Sequence, residues 1–166
     1  WSAAAPLPTA LHHLGAVGLN GKVYVAGGFT AAGETDATFE YDPTTSRWAA
    51  RAPIPTRRGA LALAVLDGRI YALGGARGGA SVADAASYDP RLDRWTALPP
   101  MPTPRDHLAA GAARGRLYAV GGRNGTSFIL NVVEEFDPQA GAWRARTPMP
   151  TGRSGIAGAV VNNILY

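Results

Sequence analysis

The run Gly68-Arg69-Ile70-Tyr71-Ala72-Leu73-Gly74-Gly75 decides how the whole chain reads, because it returns at a fixed interval on both sides. It recurs as Gly21-Lys22-Val23-Tyr24-Val25-Ala26-Gly27-Gly28 and as Gly115-Arg116-Leu117-Tyr118-Ala119-Val120-Gly121-Gly122. The tyrosines step by 47 residues from Tyr24 to Tyr71 to Tyr118, then by 48 to Tyr166. A period of this length is the signature of a repeat architecture, so the chain is counted in repeats rather than as an ordinary domain of its 166 residues. Each run is a short apolar strand that leaves into a turn through a glycine pair.

Working outward, a two-residue turn precedes each run: Asn20-Gly21, Asp67-Gly68, Arg114-Gly115 and Asn162-Asn163. Such pairs close hairpins, because both central residues take positive φ to match the strand twist. Before the turn lies a strand of small and branched residues that begins at Leu14, Leu61, Leu108 or Ile156. Small side chains suit a crowded, tapering interior, so this strand is expected innermost, over 12–19, 58–66, 105–113 and 153–161. Upstream stands a Pro-x-Pro connector: Pro6-Leu7-Pro8, Pro53-Ile54-Pro55, Pro100-Met101-Pro102 and Pro148-Met149-Pro150. Proline has no N–H for a ladder, so these segments join units rather than extend sheets.

Downstream of the glycine pair a variable loop leads to a third strand ending in Tyr41-Asp42-Pro43, Tyr88-Asp89-Pro90 or Phe136-Asp137-Pro138. Seven residues past each aromatic comes Trp48, Trp95 or Trp143, which marks a fourth, outer strand. Trp1 falls one period before Trp48 and reads as the end of a preceding unit's outer strand.

Taken together, Tyr-x-x-Gly-Gly, Tyr/Phe-Asp-Pro, the offset tryptophan and Pro-x-Pro before an arginine closely resemble the Kelch repeat. The resemblance implies an all-β, Kelch-like β-propeller with one repeat per blade. The expected units are 1–5 (outer strand), 6–52, 53–99 and 100–147 (three complete four-stranded blades), and 148–166 (two inner strands of a further blade). Such a set leaves the ring incomplete, with unpaired edges at both ends. The rest of the propeller is expected from further sequence or, as the lesser alternative, from a second copy of the chain.

Composition bounds the chemistry. There is no cysteine, which excludes disulfides, thiolate metal ligands and cysteine nucleophiles. The net charge of +4 is spread along the chain, with Lys22 the lone lysine among arginines, and it gives no clustered stripe for nucleic acid. No apolar run has the length of a membrane span, no targeting segment is visible, and the chain is expected to be soluble, its compartment undetermined.

A repeat also sorts its own residues: those present in every unit maintain the blade, and those that break the pattern can carry function. The Asp-Pro carboxylates Asp42, Asp89 and Asp137 read as turn formers. Arg58, Arg105 and Arg153 recur three residues after each connector, with Leu11 in their place in the first unit. They read as braces donating to carbonyls of a neighbouring unit, and the Kelch resemblance implies a place at the channel mouth, where ligands dock. The non-periodic set comprises His12, His13, Arg57, Asp106 and His107 before the inner strands. In the loops it adds Phe29, Glu34, Asp36, Arg77, Arg123, Asn124 and Phe128. The candidate ligand-binding residues are therefore Arg58, Arg105, Arg153, Arg77, Arg123, Asn124, His13, His107 and Asp106.

Adjacent strand residues point to opposite faces, so His12 and His13 are not expected to converge on one ion, and no metal or cofactor is expected. The arginines outnumber Glu34, Asp36 and Asp106 on the loop-bearing face, which predicts an electropositive mouth and an acidic ligand, either an Asp/Glu-containing peptide or protein or a carboxylated sugar. The expected function is a non-catalytic binding module. The alternative is a carbohydrate-active propeller enzyme. Galactose-oxidase-like propellers resemble this chain in fold, yet their copper site needs a cysteine-modified tyrosine. Propellers that isomerise sialic acid would need an acid/base pair, for which Asp106, His107, Glu34 and Asp36 are available. No nucleophile elbow, phosphate loop or zinc motif is present.

Overall fold

The computed structural model describes residues 3–166, and the reading of Trp1 lies outside them. Three four-stranded antiparallel sheets account for most of the chain, and no helix occurs among the described residues. The first blade is Gly15–Leu19, Lys22–Ala26, Thr38–Asp42 and Arg47–Arg51, each strand pairing with the next. The second is Ala62–Leu66, Arg69–Leu73, Ala85–Asp89 and Arg94–Leu98. The third is Ala109–Ala113, Arg116–Val120, Val133–Asp137 and Ala142–Arg146. A two-stranded sheet, Val160–Val161 with Ile164–Leu165, follows them, and the sheets do not close a ring.

The turns take the backbone that their residues favour: φ is 52° and 74° at Asn20-Gly21, 50° and 71° at Asp67-Gly68, 51° and 72° at Arg114-Gly115. The first strands face one another across the blades. A side chain on Gly15 would run into Leu63 Cγ at 2.5 Å, and one on Gly111 into Val160 Cγ2 at 2.8 Å. Small residues are required there because the first strands of successive blades crowd against one another.

The inner strands nevertheless begin later than the pattern predicts, at Gly15, Ala62, Ala109 and Val160 rather than at 12, 58, 105 and 153. The cause is a left-handed residue in each unit: His13 (φ 53°), Ala60 (φ 54°), His107 (φ 53°) and Gly155 (φ 62°). This turn breaks the strand and frees the backbone for its neighbours. Ala60 N–H donates to His13 O at 2.7 Å, His107 N–H to Ala60 O at 2.9 Å, and Gly155 N–H to His107 O at 2.9 Å. A single file of main-chain hydrogen bonds thus passes from blade to blade.

Two further ties repeat. Gly28, Gly75 and Gly122 donate their N–H to the carbonyls of Arg58, Arg105 and Arg153 of the following unit, at 3.0, 3.0 and 2.8 Å. The preceding glycine lies so close to the same carbonyl that a Cβ on Gly27 would sit 2.5 Å from Arg58 O. On the outer strands, Trp48, Trp95 and Trp143 donate Nε1–H to Ala5 O, Ala52 O and Pro99 O at 3.0, 3.0 and 2.9 Å. The seven-residue offset of aromatic and tryptophan is a directly opposed cross-strand pair, with ring centroids 4.9, 5.1 and 5.0 Å apart in the three blades. Asp42, Asp89 and Asp137 act as turn formers, each accepting the N–H two residues on, from Thr44, Arg91 and Gln139.

Candidate functional site

The loops after the glycine pairs are more ordered than the sequence suggested. Two of them form small hairpins, Phe29–Thr30 with Gly33–Glu34 and Ala76–Arg77 with Ala80–Ser81. Each loop is pinned by a bridge to the residue just ahead of the inner strand: His12 to Phe29, Gly59 to Ala76, Asp106 to Arg123. The bridge in the third unit is what brings Asp106 and Arg123 together.

The loops and the left-handed turns wall an open concavity of about 910 Å³. His12, His13, Phe29, Glu34, Ser81, Asp106, His107, Arg123, Asn124 and Phe128 line it. Asp106 is its centre and is only 6% exposed. Its Oδ1 accepts from Arg123 Nε at 2.9 Å and lies 2.5 Å from His107 Nδ1, while its Oδ2 accepts from Ser81 Oγ at 2.5 Å. Burial pushes the carboxyl up, but the hydrogen bonds from Ser81, His107 and Arg123 outweigh it and hold the group below the usual range. Ser81 was not among the expected residues, since a serine in a short loop carries no spacing signal.

His13 and His107 meet edge to face with ring centroids 5.0 Å apart, and His12 stacks on Phe29 at 5.4 Å. His12 and His13 do not alternate across a strand, because both precede it; their Nδ1 atoms lie 2.7 Å apart. Burial, then the nearby positive charge of His107, His12 and Arg123, lowers the pKa of His13. No group of three or more metal-ligating side chains forms among the described residues.

The other expected residues divide. Arg77 is exposed on its hairpin, 3.5 Å from Asp84, and Arg57 lies 3.4 Å from Asp36, so neither belongs to the lining. Arg58 and Arg105 are 1% and 0% exposed, enclosed within their blades rather than presented at the mouth. Arg105 donates to Val132 O, Ala119 O and Glu134 Oε2. Arg58 donates to Thr56 and to Ala72 O. Their side chains therefore brace their own unit, and it is their main-chain carbonyls, not their guanidiniums, that reach the neighbouring one. Arg153 is exposed and lines a separate concavity with Tyr118, Ile156 and Tyr166. The mouth accordingly holds one arginine, Arg123, rather than six.

Four-stranded blades ranked about an axis, with a loop-walled mouth at one end, define a β-propeller. The Kelch motif matches residues 10–53, 57–102 and 104–150, and the chain belongs to the Kelch-motif family. Among solved structures it is similar to YjhT, with 18% identity and a TM-score of 0.81. That alignment covers 99% of this chain and 61% of the YjhT chain, so the chain spans about three fifths of that relative's length. No curated protein matches it by sequence.

Proposed function

We propose that the protein is a Kelch-repeat binding module whose concavity around Asp106 takes an acidic ligand, a carboxylated sugar or an Asp/Glu side chain of a peptide or protein. One observation carries this reading. Arg123 spends only Nε on Asp106, and its two terminal nitrogens make no hydrogen bond among the described residues, although the side chain is 41% exposed at the mouth. A guanidinium held by one edge presents the other as a fixed fork, the geometry a carboxylate accepts. The acids nearby do not compete for it: Asp106 is saturated, and Glu34 accepts Gly78 N–H at 2.9 Å. His13, His107 and Asn124 complete the polar wall, and Phe29 and Phe128 supply apolar faces.

The test is a binding screen of sialylated and uronic-acid glycans beside acidic peptides. Arg123→Ala should weaken the captured ligand roughly ten- to hundredfold, the loss of a charge-assisted pair of hydrogen bonds. Affinity should also fall with added salt. Unchanged binding in Arg123→Ala together with indifference to salt would sink the proposal.

A second reading rests on the 2.5 Å contact of Asp106 with His107. A carboxylate at Nδ1 fixes an imidazole so that Nε2 can take or give a proton, which a sugar-isomerising enzyme needs. Turnover of sialic acid anomers that disappears in His107→Ala and Asp106→Asn would establish it over binding alone.

A further inference from the structure

The repeat offers an internal comparison at the buried arginines. In the third blade, Arg105 Nη2 donates to Glu134 Oε2 at 2.8 Å, and Thr103 Oγ1 donates to Glu134 Oε1 at 2.6 Å. The positions that correspond to Arg105 and Glu134 are Arg58 and Ala86 in the second blade, and Leu11 and Phe39 in the first. One blade thus carries an ion pair at these two places and another carries two apolar residues. The second blade carries the cation without its carboxylate.

Arg58 is as enclosed as Arg105, yet it makes no ion pair among the described residues. Asp84 is nearby but already engaged: its Oδ1 accepts from Thr56 Oγ1 at 3.0 Å and lies 3.5 Å from Arg77. Where Ala86 replaces a glutamate, a cavity of about 290 Å³ opens, walled by Arg58, Thr56, Asp84, Ala86, Leu98 and Pro100. Burial holds the guanidinium down, to about 10, with Asp84 offsetting only part of the effect. An enclosed cation without a contacting anion is costly, and a cavity beside it gives an anion a place to sit. Nε is without a partner in Arg58 and Arg105 alike, so what separates the two blades is the carboxylate itself.

We propose that the second blade binds a small carboxylate anion of formate or acetate size in the cavity between Arg58 and Ala86, in the place that the Glu134 side chain fills in the third blade. The ligand has the charge and the shape of the missing group, and the unpartnered Nε of Arg58 is a donor for it, since the Thr56 hydroxyl is engaged by Asp84. The site is separate from the mouth and does not depend on what the mouth binds.

Formate is the probe, replacing gluconate at constant ionic strength. Tm of the protein should rise saturably, by about 3–6 °C at ten times the dissociation constant. Ala86→Glu, which restores the third blade's pair, should raise Tm in gluconate and remove the formate response. The double substitution R58L/A86F copies the first blade's apolar pair and should also remove the response, and it decides the matter if Ala86→Glu fails to fold. A Tm indifferent to formate, or a response that survives in R58L/A86F, overturns the proposal.

Discussion

The imidazole rings of His13 and His107 lie 5.0 Å apart although two repeats separate them in the chain. They meet because Ala60, at the corresponding position between them, has a side chain too small to keep them apart. The left-handed backbone at all three residues turns the side chains to the same end of the blades. Protonating both rings would place two positive charges in contact, beside Arg123.

Acidification should therefore act on stability and on binding in opposite directions. The folded chain holds the His13 pKa below its ordinary 6.5, so it takes up that proton less readily than the unfolded chain. Its contribution to stability is complete above the ordinary value and declines as pH falls below it. Between pH 7 and 5, Tm should fall less in His13→Asn than in the parent. Over the same range an acidic ligand should bind the parent more tightly, as isothermal titration would register.

Asp106→Asn should destabilise the protein by about 1–3 kcal/mol at neutral pH, because a buried acceptor for Ser81, His107 and Arg123 is lost. The sign of its pH dependence is fixed by the lowered pKa. The stabilisation from Asp106 is present above the ordinary 3.8 and disappears as pH drops through the folded value. Denaturant midpoints of parent and variant should thus converge as pH falls below 3.8.

The two kinds of arginine should separate in a melting experiment. Arg105→Ala leaves Glu134 buried without its cation and should cost about 3–5 kcal/mol. Arg123→Ala removes a partly exposed pair and should cost under about 1 kcal/mol while still weakening ligand.

Glycines that look alike in sequence should differ in tolerance. Gly74 has φ 61° and its added Cβ would collide with the carbonyl of Arg105, so Gly74→Ala should cost several kcal/mol, about 3 or more with strain and a broken tie combined. Gly68, in open space at φ 71°, should accept Asn with a loss under about 1 kcal/mol by urea titration.

Trp95→Phe keeps the ring contact with Tyr88 and removes the donor to Ala52 O. A loss of about 1–3 kcal/mol is expected, with the fold retained by circular dichroism.

The blade was legible because everything that builds it recurs: a hairpin turn, a glycine pair or an opposed aromatic pair announces itself by returning at one spacing. What the sequence concealed was direction. Arg58 and Arg105 recur as regularly as any residue, and the pattern alone does not tell a guanidinium aimed into its own blade from one aimed at the mouth. The burial at 1% and 0% decides that. The strand starts were misplaced for a related reason. Left-handed φ falls on His13, Ala60 and His107, so in these three units no glycine marked the break. The meeting of Asp106, Ser81 and His107 arises where a loop of one unit reaches the strand entry of the next, and only the fold reveals it.

Beside the apolar clusters in which Tyr24 and Ala26 of one blade pack on Leu61 and Ile70 of the next, the blades share three main-chain ties: the file of hydrogen bonds from His13 to Gly155, the glycine pairs on the following carbonyl, and the tryptophans on the carbonyl just ahead of each connector. A carbonyl offers the same bond whatever side chain its residue bears. Gene duplication therefore adds a unit whose main-chain ties need no matched change in its neighbour, while its apolar face must still fit the adjoining blade. Leu11, Arg58 and Arg105 at one position record the divergence of such copies, since the main-chain joint between units never depended on which of them was there.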